Sequence, residues 1–273
     1  MSDVTPTMGP CPNPKCGSSN ANATYPDDGH SWCYSCQTYT SGDKSMQQTK
    51  VIPMSNPATS ELKSVGQVAD IPDRKIKQET AKKYNTQVMQ SNNMITHHIY
   101  QYFDKDGNHI ANKVREVQGK KFWSEGNLAG SGLFGEHIFG RAGKYITVCE
   151  GEIDAMSAYE MLGSKWPVVS IKNGAASALE NCRRSFEYLN QFENVVLCFD
   201  NDKPGKEAAL KVAELFDPNK CKIIELELKD ANEYLKTNQR KKFSDDWWNA
   251  RTFTPAGIVN LADLGTTLYD EKY

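Results

Sequence analysis

The chain has 273 residues, 38% hydrophobic and 24% charged, which leaves room for one substantial core plus smaller satellites. No apolar run approaches the roughly 18 residues of a membrane span, and the polar start is no signal peptide, so a cytoplasmic protein without membrane contact is expected. The formal net charge of −2 does not announce a nucleic-acid binder, yet its distribution is uneven: residues 63–145 carry 13 Lys and Arg against 8 Asp and Glu, and residues 145–235 carry 10 against 16. A basic segment leading into an acidic one suits a site where divalent ions neutralise carboxylates while lysines hold phosphates, although a solvated charged face has the same signature.

The first unit, residues 1–43, is rich in cysteine and poor in aliphatic residues. Cys11-Pro-Asn-Pro-Lys-Cys16 and Cys33-Tyr-Ser-Cys36 are separated by sixteen residues, the spacing of a four-cysteine zinc ribbon. A short pair wraps one ion because a turn brings both thiolates to the same side. Gly17 helps the first turn close, and Asp27-Asp28-Gly29 suits a hairpin tip. Four thiolates complete a tetrahedron, with His30 as the alternative to one of them. The unit is too small to fold without such a staple. Its role is open between a purely structural one and base reading, in which exposed Lys15, His30, Trp32, Tyr34 and Tyr39 contact single-stranded DNA. Cys149, Cys182, Cys198 and Cys221 are scattered singly on apolar faces and read as inert core thiols.

Residues 44–63 are Gln, Ser, Thr, Pro and Asn without periodicity, a flexible linker. Residues 64–143 form a mixed α+β basic subdomain, with a short helix at Lys75–Tyr84. His98–Phe103 and His109–Val114 alternate like strands around Asp104-Lys105-Asp106-Gly107-Asn108, a hairpin signal. Lys113 and Arg115 share one strand face, and Lys120 and Lys121 lie close by; they are candidates for holding phosphates, against the plainer reading of surface lysines. The glycine-rich run at 126–132 reads as a flexible connection. His97, His98, His109 and His137 lack ligand spacing.

From residue 144 to 243 strands and helices alternate, the signature of a mostly parallel sheet with crossover helices. Strands are expected at Tyr145–Cys149, Pro167–Ile171, Asn194–Phe199 and Lys222–Leu228. Three acidic clusters follow three of them: Glu150-Gly151-Glu152-Ile153-Asp154, Asp200-Asn201-Asp202 and Lys229-Asp230-Ala231-Asn232-Glu233. Ligands of such sheets sit beyond the carboxyl ends of the strands, so the clusters should converge on one crevice. In extended backbone Asp200 and Asp202 point to the same side, where a hard cation such as Mg²⁺ relieves their repulsion. The plainer reading is that acids cap helices, as Asp154 and Asp202 suit, but capping does not account for three clusters at three strand ends. Asn173-Gly174 either approaches a phosphate by its backbone or is simply a turn. Residues 244–273, with Trp247, Trp248 and Pro255, read as a C-terminal tail or linker.

Glu150-Gly151-Glu152-Ile153-Asp154 followed by Asp200-Asn201-Asp202 resembles the Toprim signature of primases, topoisomerases and some nucleases. With Leu133-Phe134-Gly135 and the cysteine ribbon, the chain is similar to bacterial-type primases, and within them to the primase half of the primase–helicases of T7-like phages. The likeness runs through Lys113-Val114-Arg115, Lys120-Lys121-Phe122, Asn173-Gly174-Ala175 and Lys229-Asp230-Ala231-Asn232-Glu233. It departs in the first cysteine pair, four residues apart where relatives have two, and in a longer spacing from Lys113 to the lysine pair, of which Lys121 is favoured.

The resemblance implies a Rossmann-like α/β Toprim catalytic unit making short RNA primers at specific sites on single-stranded DNA from ribonucleoside triphosphates. It implies catalytic Glu150, Asp200, Asp202 and Asp230, the first three holding Mg²⁺, with Mn²⁺ as the alternative. Lys113, Arg115, Lys121, Asn173 and Gly174 would bind nucleotide, Cys11, Cys16, Cys33 and Cys36 Zn²⁺, and Lys15, His30 and Trp32 DNA. A replicative DNA polymerase and a helicase domain, in cis or in trans, are the implied partners, in a host cytoplasm if phage-encoded. No nucleotide-binding G-x-x-x-x-G-K-[ST] loop is present, so the helicase half is expected to be missing. The alternatives are a Toprim nuclease and a non-catalytic zinc-plus-Toprim DNA-binding protein.

Overall fold

Two stretches of very different composition fold separately, residues 1–60 and 61–273. The computed structural model describes residues 6–26, 29–36, 38–40, 61–119 and 121–255. Asp27, Asp28, Lys120, most of the expected linker and the tail beyond residue 255 lie outside the described residues.

In the first unit, β1 (Thr7–Gly9), β2 (Asn22–Thr24), β3 (Ser31–Cys33) and β4 (Tyr39–Thr40) pair antiparallel in chain order. Ala23 and Cys33 are its only buried apolar residues among those described. Two such side chains cannot offset the entropy of ordering the chain, so cross-linking at the cysteines must supply the rest.

The second unit opens where the backbone amides of Lys63 and Ser64 donate to buried Glu125. A short helix α1 (Gln78–Lys83) precedes an antiparallel sheet of β5 (Thr86–Ser91), β6 (Met94–Phe103), β7 (His109–Glu116) and β8 (Phe122–Gly126). Asp104 closes the β6–β7 turn by accepting from the amides of Asp106 and Asn108. The run after β8 is not a loose connection: Lys172 reaches under it and donates to the carbonyls of Leu128 and Ser131 at 3.2 and 2.8 Å.

The larger sheet contains β9 (Gly143–Cys149), β10 (Val168–Ser170), β11 (Phe192–Cys198), β12 (Cys221–Ile223) and β13 (Arg251–Thr252). Its order is β10-β9-β11-β12-β13, parallel except for β13 at the edge. Helices α2 (Glu152–Met161), α3 (Ala178–Arg184), α4 (Phe186–Leu189) and α5 (Lys203–Ala213) form the crossovers, and α6 (Ala231–Lys236) and α7 (Arg240–Trp248) follow β12. Strand periodicity divides the core: Ile146, Val148, Val195 and Leu197 join α3, α4 and α5, while Cys149, Val196 and Cys198 join α2, α6 and α7. Helix α2 lies between several layers and is buried nearly all round. All four scattered cysteines are buried.

Phe134 is fully buried among Tyr84, Tyr100 and Tyr102 and pairs by backbone with Ser170, tying the antiparallel sheet to the parallel one. Gly135 beside it has φ +84°, and a Cβ there would lie 2.8 Å from the Tyr84 ring, so only glycine fits.

Two further expectations need correction. Lys222–Leu228 shortens to β12, because the chain bends toward α6 where the Tyr234 hydroxyl receives the Glu227 amide at 2.7 Å. Residues 244–248 are not tail: they end α7, and Trp247 is 2% exposed, its indole donating to Thr147 Oγ1 at 2.9 Å. Trp247 also packs with Tyr145, Trp166 and Trp248. Among the described residues no helix is long and apolar enough to cross a membrane.

Candidate active site and metal centre

In the first unit the turns bring Cys11, Cys16, Cys33 and Cys36 together, all four Sγ atoms within 4.8 Å of one another. The pairs Cys11–Cys36 and Cys16–Cys33 are 3.5 and 3.8 Å apart. A tetrahedral ion with metal–sulfur bonds of about 2.3 Å requires sulfur separations of about 3.8 Å, to which these two separations are close. The Thr38 hydroxyl, 3.0 Å from Cys36 Sγ, helps pull that thiol down to about 6. A lowered thiol ionises more readily, and the thiolate is the form that ligates. His30 lies outside the group and stacks on Tyr25 at 4.5 Å, with Tyr39 5.7 Å away. Lys15, Tyr34 and Tyr39 are exposed, but Trp32 is half-buried, because it opposes Ala23 and Tyr39 across the sheet.

In the second unit the strand ends converge as the α/β pattern requires. Glu150, Asp154, Asp200 and Asp230 line one cavity of about 570 Å³ with Lys113, Arg115, Asn173 and Gly174. Glu150 directly follows β9, where it accepts from the amides of Ala175 at 3.0 Å and Asp200 at 3.4 Å. Asp200 stands on the neighbouring strand end; burial, reinforced by Glu150 and Asp230, pushes its carboxyl up to about 7, and Lys229 offsets only part of this. Asp154 is held well above the usual carboxylate range by burial and by Asp230 and Asp200, although the Asn232 amide donates to it at 3.1 Å. Several carboxylates thus face one space and repel one another. An oxygen-only donor set with excess negative charge fits a hard divalent cation, which binds few carboxylates and keeps its remaining positions for water and phosphate.

Asp202 departs from expectation. It is exposed, is not among the residues lining the cavity, and caps α5 by accepting from the Gly205 amide at 2.8 Å. The strand ends at Cys198 and the chain bends at Asn201 and Asp202 before α5 starts at Lys203, so the side-by-side geometry of a strand does not carry through the Asp200–Asp202 pair. Asp230 likewise caps α6 through the Glu233 amide, yet still faces the cavity. At Gly205 any Cβ would collide with the Asp200 carbonyl, so the absence of a side chain lets α5 close under the acidic loop.

The basic wall comes from β7 and β8. Lys113 donates to Glu152 Oε1 at 2.7 Å and to the Lys172 carbonyl. Glu152 is buried and also accepts from Tyr102 at 2.6 Å. Two of the three ammonium donors are thereby committed, which fixes the cation and leaves one. Arg115 reaches the same cavity, and its Nε is buried without a hydrogen-bond partner. Lys121 is exposed and does not line the cavity. Arg74, Phe122 and Asn232 do line it and had no role in the sequence reading. Arg74 and Asn232 hold each other, Asn232 Oδ1 accepting from the guanidinium at 3.3 Å and its amide donating to the Arg74 carbonyl at 2.9 Å. They are 158 residues apart, a pairing for which no local pattern exists.

A parallel sheet with acidic residues at its strand ends defines the class, and a family model described as Toprim-like matches residues 147–235. The chain is 33% identical over 263 residues to a DNA helicase/primase of Enterobacteria phage T3, covering 93% of this chain and 45% of that protein's length. The crystal structure of the primase fragment of the bacteriophage T7 primase-helicase superposes with a TM-score of 0.63 at 31% identity, covering 89% of this chain and 99% of the fragment. A structure of the T7 lagging-strand DNA polymerase interacting with primase domains bound to an RNA/DNA hybrid and dTTP also matches, with a TM-score of 0.63 at 32% identity over 69% of this chain and 94% of that one. The chain belongs to the primase family of T7-like phages.

Proposed function

We propose that this chain is a DNA primase, a nucleotidyltransferase that joins ribonucleoside triphosphates on a single-stranded DNA template. The observation that carries the reading is the cavity in which Glu150, Asp200 and Asp230 oppose Lys113 and Arg115. In the reaction the 3′-hydroxyl of one nucleotide attacks the α-phosphate of the next, and pyrophosphate leaves. Glu150 and Asp200 would hold Mg²⁺ or Mn²⁺, with Asp202 joining them from the cap of α5 just outside the cavity lining and Asp230 serving a second ion. When bound, such ions draw charge from the phosphates and favour the attacking alkoxide. Lys113, fixed by Glu152, and Arg115 balance the triphosphate, Lys121 extends that charge toward solvent, and Asn173 and Gly174 border the nucleotide.

The four-cysteine unit would hold Zn²⁺ and select the template site, with His30, Tyr39, Trp32 and Lys15 facing bases. Membership of a family with a helicase/primase relative and a polymerase-bound relative supports a helicase domain and a replicative DNA polymerase as partners, in the host cytoplasm.

The test is incubation with the four NTPs, Mg²⁺ and a library of single-stranded templates, resolving the RNA made. Short, template-dependent RNA with defined start sites is expected. Release of nucleotides from labelled single strands instead would make the protein a nuclease, and binding without product would leave a non-catalytic module.

A further inference from the structure

Phe122, Trp123 and Trp248 are exposed aromatic residues of the second unit, and of the three Phe122, 53% exposed, stands on the wall of the acidic cavity. In β8 it lies opposite Arg115, with Ser124 opposite Lys113, so one face of the β7–β8 ribbon presents two cations and an aromatic ring. Lys113 Nζ is 5.3 Å and Arg115 Cζ 5.6 Å from the ring centroid. The adjacent Trp123 belongs to the other face, where it meets His97 edge-on. An exposed ring costs hydration free energy and contributes nothing to a core. Its position makes sense if a second flat surface covers it.

We infer that the Phe122 ring is the stacking platform for the base of the ribonucleotide whose phosphates Lys113 and Arg115 hold. This deepens the primase reading and rests on it. A cavity of about 570 Å³ is within the range that takes a mononucleotide. Aromatic stacking with adjacent cations is how proteins hold single nucleotides without reading their edges. Every base has a π-face, so the platform binds all four NTPs and leaves base choice to the template. Phe122 is therefore an affinity determinant that is blind to sequence.

The test measures equilibrium binding of each NTP and of inorganic tripolyphosphate, with Mg²⁺, by the full chain and by Phe122 variants. Phe122→Ala is expected to weaken all four NTPs by about tenfold, roughly 1.4 kcal/mol, and to leave tripolyphosphate within about twofold. Phe122→Trp restores NTP affinity, and Phe122→Leu, apolar but without a π-face, does not. Unchanged NTP affinity in Phe122→Ala, full affinity in Phe122→Leu, or an equal loss for tripolyphosphate would each overturn the stacking role, the last because the ring would then only position the cations. Failure of the primase reading is distinct: the unaltered chain would bind neither ligand and make no RNA.

Discussion

The two candidate ion sites are built on opposite plans. In the first unit four sulfurs from two turns fill a tetrahedron by themselves, with no position left for a substrate. In the second, carboxylates stand at separate strand ends around an open cavity, and some are already engaged by backbone amides. Among its described residues the first unit has almost no core of its own, whereas the second buries two apolar clusters, one on each face of its sheet. An ion can therefore be the structure in one place and a reagent in the other. The same element count in a sequence, a handful of ligand-type residues, hides this difference until burial is known.

Metal removal is the harshest way to break the contrast. Stripping the ion, or making Cys36→Ser, should unfold residues 6–40 and leave residues 61–255 folded; limited proteolysis with intact-mass analysis reads this directly. Cleavage spread evenly through both units would end the distinction. Templated initiation should fall further than untemplated dinucleotide formation in the same variant.

Next in size is Asp200→Asn. It should lower magnesium-dependent dinucleotide synthesis by about a thousandfold, near 4 kcal/mol of transition-state stabilisation, with zinc content and fold intact. Synthesis at parental rates would remove Asp200 from the site.

Trp247→Ala should destabilise the second unit by about 3–5 kcal/mol, since it opens a cavity and orphans Thr147. Urea unfolding followed by far-UV circular dichroism measures it. A loss below about 1 kcal/mol would mean that α7 is peripheral.

The smallest effect is a pH dependence. The Asp200 carboxyl is raised from 3.8 to about 7 in the fold, so between those values the folded state binds more protons than the unfolded one and stability declines as pH rises. In metal-free protein the thermal midpoint of the second unit should fall from pH 4 to pH 7, less steeply in Asp200→Asn. Mg²⁺ should raise it more at pH 8 than at pH 5. Parallel profiles for parent and variant would show that the carboxyl is not under strain.

Much of this was legible in the sequence. The cysteine spacing announces a ribbon because the turn geometry is local. The strand–helix alternation from residue 144 announces a parallel sheet because buried strands and crossover helices have different periods. What stayed hidden depends on contacts between distant segments. Arg74 and Asn232 reach the cavity through a pairing that no short pattern encodes. Lys172, buried and lowered to about 8 mainly by that burial, is a structural clamp that resembles any surface lysine on paper. Trp247 and Trp248 follow a polar, charge-rich stretch that resembles a linker, and only packing against Tyr145 and Trp166 makes it a helix. At Asp202 the pattern assumed a continuous strand, whereas the strand ends at Cys198 and Asp202 caps α5.

One consequence follows from the pairing of Cys149 with Cys198 at the ends of β9 and β11. Glu150 is the first and Asp200 the second residue beyond that pair, so the strand repeat of about 4.8 Å sets how close the two loops begin. Such a ruler does not stretch. Insertions beyond the acids leave that starting distance untouched, whereas a single-residue slip in either strand moves an acid away from the rim.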